Sequence, residues 1–94
     1  MRTLPQKFRR HGFDHEVIER CEGVVLVKKT QGSFVGWEVA RVFFAEAHTI
    51  AGQSIEAGEH LPSMEQWGTY AFSYTNEADA RRKFEAMVVQ EVMK

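Results

Sequence analysis

The chain has 94 residues, 44% hydrophobic, 12% aromatic and 27% charged, with twelve Lys and Arg against thirteen Asp and Glu. That length holds one hydrophobic core, the composition is that of a folded domain, and a formal net charge of −1 excludes a domain that coats nucleic acid through bulk positive charge. A single cysteine, Cys21, excludes an internal disulfide and any Cys-pair zinc site.

Residues 1–12 carry Arg2, Lys7, Arg9, Arg10 and His11 without one acid. Pro5 and Gly12 oppose a helix there, so the segment reads as a partly mobile basic arm ahead of a single domain over 13–94. It has no apolar h-region, which argues against a secretory signal and makes the cytoplasm the expected address. No run approaches the roughly 20 apolar residues of a membrane span; Val24-Val25-Leu26-Val27, as long as any, has a strand's length.

Residues 13–21 admit two readings. Phe13, Val17, Ile18 and Cys21 share a helical face, with Asp14 as a cap and Gly23 as a stop. Glu22-Gly23 leading straight into Val24–Val27 instead marks a hairpin between two strands, and this is the favoured reading. After Lys28-Lys29-Thr30 the chain turns through residues 31–36, and Trp37 to Ala45 then alternates with large apolar groups on both faces, as a central strand does.

Residues 46–68 form a long excursion with three glycines and one proline. Ile50 and Ile55 flank a small hairpin, and Ser63-Met64-Glu65-Gln66 has capping-box spacing for one helical turn before Gly68. Thr69 to Thr75 alternates Tyr70, Phe72 and Tyr74 against smaller residues, the clearest strand pattern in the chain. Asn76 or Thr75 then caps a helix with Glu77 and Asp79 in its first turn and Ala80, Phe84, Met87 and Val88 on one face. The expected fold is α+β: an antiparallel sheet of three to four strands with one C-terminal helix packed on one face. The other face is then solvated, covered by the excursion, or used for binding.

Charge is unevenly spread. Residues 1–41 carry +3, residues 42–80 carry −6 with no Lys or Arg, and residues 81–94 carry +2. An acidic face of Glu46, Glu56, Glu59 and Glu65, with Trp67 as an anchor, would dock on a basic protein partner. Alternatively, these acids pair with cations elsewhere in the domain. The cations Arg2, Lys7, Arg9, Arg10, Arg81, Arg82 and Lys83 offer a second surface, suited to nucleic-acid phosphates. Tyr70, Phe72 and Tyr74 would stack bases if their face were open, but their spacing beside an amphipathic helix reads as core.

Catalytic patterns are weak. Gly12 interrupts the His11–His15 pair, and residue 19 is Glu where a zinc-binding helix would need a second histidine. Glu46, His48, Glu59 and His60 come together only if the excursion folds back, which leaves a metal-dependent enzyme using His48 and His60 as a third reading. Cys21 reads as a buried structural thiol, and no serine lies in a nucleophile elbow. No cofactor, metal or catalytic residue is expected. Self-association through the apolar C-terminal turn or the open sheet face would make a homodimer.

Four short stretches, Gly36-Trp37-Glu38-Val39-Ala40-Arg41, Thr49-Ile50-Ala51-Gly52, Leu61-Pro62-Ser63 and Trp67-Gly68-Thr69-Tyr70, resemble small orphan proteins of bacteriophages and integrated mobile elements over residues 22–85. The resemblance carries no catalytic motif. It implies an accessory protein that works by occupying another macromolecule, including as an inhibitor of a host-defence complex. The reading is therefore a protein-binding accessory module docking an acidic face, with nucleic-acid binding as the alternative.

Overall fold

Four consecutive strands run back and forth, each joined to the next by a two-residue turn. In the computed structural model, which describes residues 4–50, 52–55, 57–61 and 68–94, they are β1 (Lys7–Arg10), β2 (Phe13–Cys21), β3 (Val24–Gln31) and β4 (Phe34–Arg41). Both central residues of the first two turns have positive φ, His11 at 54° with Gly12 at 81°, and Glu22 at 53° with Gly23 at 75°. That is the backbone a type I′ turn requires, and its twist matches that of the flanking strands. The third turn places Gly32, at φ 57°, first, as a type II′ turn does.

The chain then leaves the sheet through β5 (Phe43–Ala45), β6 (His48–Ile50), β7 (Gln53–Ile55) and β8 (Gly58–His60). β6 pairs with β7 as the expected small hairpin, and β5 pairs with β8 around it. The alternating run from Trp37 to Ala45 is not one strand. It breaks at Val42, whose N–H donates to the Gly23 carbonyl at 2.8 Å, and β5 belongs to a different pair. The helical turn expected at Ser63–Gln66 lies outside the described residues.

β9 (Ala71–Tyr74) returns to the main sheet beside β4, giving the order β1-β2-β3-β4-β9 with every neighbouring pair antiparallel. Helix α1 (Glu77–Val92) follows, and the Asn76 side chain caps it by accepting the Asp79 N–H at 3.2 Å. The fold is α+β as expected, with one strand more than the sequence indicated. The extra strand is β1, so the segment read as a mobile arm is, over Lys7–Arg10, a paired sheet edge. The His11-Gly12 turn makes this possible, and Leu4 and Phe8 pack onto the sheet beside it.

Side chains of directly opposed residues share a face, which divides the core in two. Val24, Leu26 and Val39 meet Ala80, Phe84 and Met87 of α1, with Trp37, Phe72 and Tyr74 packed around them. Phe72 and Tyr74 are thus helix-facing core, as expected, while Tyr70 sits exposed in the preceding turn, its ring edge-on to Phe43. On the second face Val25, Val27, Ala40 and Ala71 pack under Leu61, with Leu4, Phe8, Val17 and Val42 at the margins. The excursion and the N-terminal segment thus cover one end of the second face.

A bulge in β2 decides which charges point where. The register with β3 shifts between Val17 and Glu19, so Ile18 is an extra residue and the alternation restarts after it. Glu19 therefore shares the helix face with Leu26, and Arg20 shares the second face with Val25.

Candidate functional site

The uncovered end of the second face begins at the His11-Gly12 and Gly32-Ser33 turns, which lie at the same end of the sheet and are joined by the Gln31 side-chain amide donating to the Gly12 carbonyl at 3.1 Å. His15 lies opposite Lys29, and Lys29 opposite Gly36. Glu38 is two residues further along β4 on the same face, and Ser73 of β9 is opposite it. These positions surround a cleft of about 260 Å³ whose rim carries Arg10, His11 and Phe13.

Its floor is charged and buried. His15 is 5% exposed and Glu38 6%. The Lys29 ammonium lies 2.9 Å from Glu38 Oε1, and His15 Nε2 lies 3.7 Å from the same oxygen. His15 Nδ1 is 3.0 Å from the Phe13 carbonyl. A carbonyl only accepts, so Nδ1 carries the hydrogen, and the 3.7 Å from Nε2 to the carboxylate is beyond hydrogen-bond distance. The ring itself is stacked on Phe8, with centroids 4.9 Å apart and planes 10° apart.

A buried carboxylate costs several kcal/mol of hydration, and a single ammonium at hydrogen-bond distance offsets that cost without turning it into a large gain. An apolar pair would close this end of the sheet at least as well. Buried charge lining a cleft is thus a mark of a binding site as well as a structural ion pair.

Aromatic surface flanks the cleft. Phe13 and Phe34 meet edge to face at 5.7 Å, and Lys29 Nζ sits 4.9 Å from the Phe13 ring centroid. The Phe34 ring lies over Gly36, where a Cβ would come within 3.0 Å of Phe34 Cζ. Phe34 nevertheless remains 44% exposed and Val35 41%. Of the charges at this end of the sheet, Arg10, Lys29 and Glu38 lie on the second face, whereas Lys7, Arg9, Asp14, Glu16 and Lys28 lie on the helix face. Lys7 pairs with Glu16 at 3.8 Å and Arg9 with Asp14 at 3.1 Å.

The other residues singled out in the sequence do not assemble into one surface. Arg81 is held by Glu77 at 3.0 Å and by Glu19 at 3.1 Å, which raises its pKa. Arg82 pairs with Asp79, and Lys83 Nζ sits 4.1 Å from the Phe72 ring centroid. These three lie on α1, which packs on β3, β4 and β9, whereas Lys7, Arg9 and Arg10 lie on the far edge strand.

Among the acids, Glu46 is exposed between β5 and β6. Glu59 is engaged within the fold: Arg20 Nη1 donates to Oε1 at 2.7 Å, Nη2 bonds Oε2, and the Leu4 N–H donates to Oε1 at 2.9 Å. Arg20 first, then the Leu4 N–H, holds the Glu59 carboxyl at about 2, below its ordinary 4.5. Arg2, Glu56, Glu65 and Trp67 lie outside the described residues, as do the side chains of His48 and His60. Among the described residues no three of His, Cys, Asp and Glu gather as a metal site requires. Cys21, expected to be buried, is exposed at the end of β2, where the chain enters the Glu22-Gly23 turn.

Sequence reasoning missed the Lys29–Glu38–His15 cluster. Its signal was the Gly32-Ser33 turn: a two-residue hairpin there sets Gln31 against Phe34, and counting back places Lys29 beside Glu38. No helix among the described residues is long and apolar enough to cross a membrane. Comparison of the chain with protein-family models, curated proteins and solved structures finds no match.

Proposed function

We propose that the chain is a binding module that takes single-stranded nucleic acid on the second face of its sheet, at the end formed by the His11-Gly12 and Gly32-Ser33 turns. One observation carries the reading. Phe34 is solvent-exposed, sits edge to face on Phe13, and lies on the sheet face that also presents Lys29 and Arg10. Exposed aromatic rings beside cations on an open antiparallel sheet are what a flexible strand needs, bases stacking on rings while phosphates meet ammonium and guanidinium groups. The net charge of −1 is compatible with this, because the −6 of residues 42–80 belongs largely to the excursion and the turn into α1.

The test is fluorescence anisotropy of a labelled single-stranded oligonucleotide. One phosphate contact each from Arg10 and Lys29 gives a salt slope of about −1.4, at about 0.7 per phosphate. Phe34→Ala weakens binding by roughly 5- to 150-fold, the range for one stacked base. No binding at low salt contradicts the reading.

Docking of an acidic face on a basic protein partner is the second reading, supported by the charge excess of residues 42–80 and by exposed Glu46. Glu59 does not contribute to such a face, because its carboxylate closes the fold.

A further inference from the structure

The cleft beside Phe13 has features that the strand-binding reading does not use. A site for an extended backbone needs cations and rings at the surface. It does not need a carboxylate 6% exposed beneath them, which would repel phosphate. At about 260 Å³ the cleft is also smaller than sites that enclose whole drug-sized ligands, roughly 300–1,000 Å³. It has room for one ring system.

We propose that this cleft takes a single nucleobase and that the base it prefers is guanine, an inference that rests on the nucleic-acid reading and gives it sequence preference. Glu38 supplies an acceptor and Lys29, 2.9 Å away, a donor. Each carboxylate oxygen has two lone pairs, so Glu38 retains acceptor capacity beyond its bond to Lys29, and the ammonium retains two further N–H donors. The site therefore offers an acceptor fork next to a donor. The Watson–Crick edge of guanine is the complement: the N1–H and the exocyclic amine point the same way into a carboxylate, and O6 beside them accepts from Lys29. Adenine and cytosine each present one amine and one ring-nitrogen acceptor, and uracil and thymine present one N–H between carbonyls. Guanine thus makes three bonds where the others make two.

His15, pinned through Nδ1 to the Phe13 carbonyl and stacked on Phe8, packs beside Glu38 in the floor of the cleft and is not expected to touch the base. Phe13, edge to face with Phe34, gives the ring plane an apolar wall at the mouth. Arg10 at the rim is placed to meet the phosphate of the same nucleotide.

The experiment compares the intact chain on oligo-dT strands that carry one central dG, dA, dC or deoxyinosine. Deoxyinosine keeps O6 and N1–H but lacks the exocyclic amine, so it removes one arm of the fork with the protein unchanged. The expected result is about tenfold tighter binding of the dG strand than of oligo-dT, one charge-assisted bond's worth, falling to the level of the other bases with deoxyinosine. Free guanosine monophosphate competes for the site and adenosine monophosphate does not. Equal affinity for all strands overturns the guanine pocket and leaves strand binding standing. A dG preference that deoxyinosine retains also overturns it. Guanosine monophosphate binding without binding of any strand supports the pocket and overturns the strand reading. Binding of neither overturns both. Glu38→Gln, which keeps the side-chain volume, abolishes the preference for dG over the other bases in a variant whose melting curve shows it folded. A folded Glu38→Gln that keeps the preference contradicts the assignment.

Discussion

Arg20 and Glu59, thirty-nine residues apart, meet in a two-bond fork that ties β8 to β2. The bulge at Ile18 makes this contact: if the alternation ran unbroken through Ile18, Arg20 would point to the helix face. Glu59 is held at about 2 by Arg20 and by the Leu4 N–H. A carboxyl depressed in the folded state contributes stability above its unfolded value, lost as pH falls through the folded one. The contribution is therefore full at neutral pH and disappears between about pH 5 and pH 2. Arg20 is partly solvent-exposed, which screens the pair, so Glu59→Gln is expected to cost about 1 kcal/mol at pH 7, or roughly 4–8 °C in Tm. Thermal melts of both proteins should converge near pH 2. A gap that stays constant with pH contradicts the assignment.

Gly36→Ala separates the aromatic platform from the fold. The added Cβ would lie 3.0 Å and 3.1 Å from Phe34 Cζ and Cε1, and the end of an exposed side chain gives way more easily than backbone. The variant is expected to melt within a few degrees of wild type, because a strand glycine gains rigidity on becoming alanine. Its affinity for single strands should drop several-fold as the Phe34 ring is displaced. Unchanged affinity would mean that Phe34 is not a contact.

Glu22 occupies φ 53°, a region that costs most L-residues about 1–2 kcal/mol, in a turn that favours Asn-Gly. Glu22→Asn is expected to raise stability by about 0.5–1 kcal/mol. Urea denaturation should show a higher midpoint with an unchanged slope.

Leu26, in β3, is fully buried beside Val39 of β4 and against α1. Leu26→Ala removes three carbons from the centre of the core and should cost about 2–5 kcal/mol, a large share of what a domain of this size has to lose. Equilibrium unfolding measures it directly. A cost under 1 kcal/mol would place Leu26 outside the core.

The elements most legible in the sequence were those with long, consistent periodicity. α1 announced itself through Asn76, the acids of its first turn and the Ala80–Phe84–Met87 stripe. The hairpin at Glu22-Gly23 and the Tyr70–Phe72–Tyr74 alternation also placed their strands. β1 was hidden because Lys7, Arg9 and Arg10 read as a solvated tail and because His11-Gly12 lacks the usual Asn-Gly signature, although its backbone is the same. The bulge at Ile18 leaves no mark in composition, so the partners of Glu19 and Arg20 were unreadable. The cluster of His15, Lys29 and Glu38 depends on register across three strands. Alternation within one strand does not name a residue's neighbours on the next.

The aromatic end of the second face, with Arg10 and Lys29, is the surface proposed for single strands. Its most direct test is chemical-shift mapping of the isotope-labelled chain titrated with a short single-stranded oligonucleotide. The expected perturbations centre on Phe13, His15, Lys29, Phe34 and Gly36 and spare Arg81, Arg82 and the exposed face of α1. Saturable shifts confined to the excursion around Glu46 and Glu59, or no saturable shifts at low salt, would contradict it.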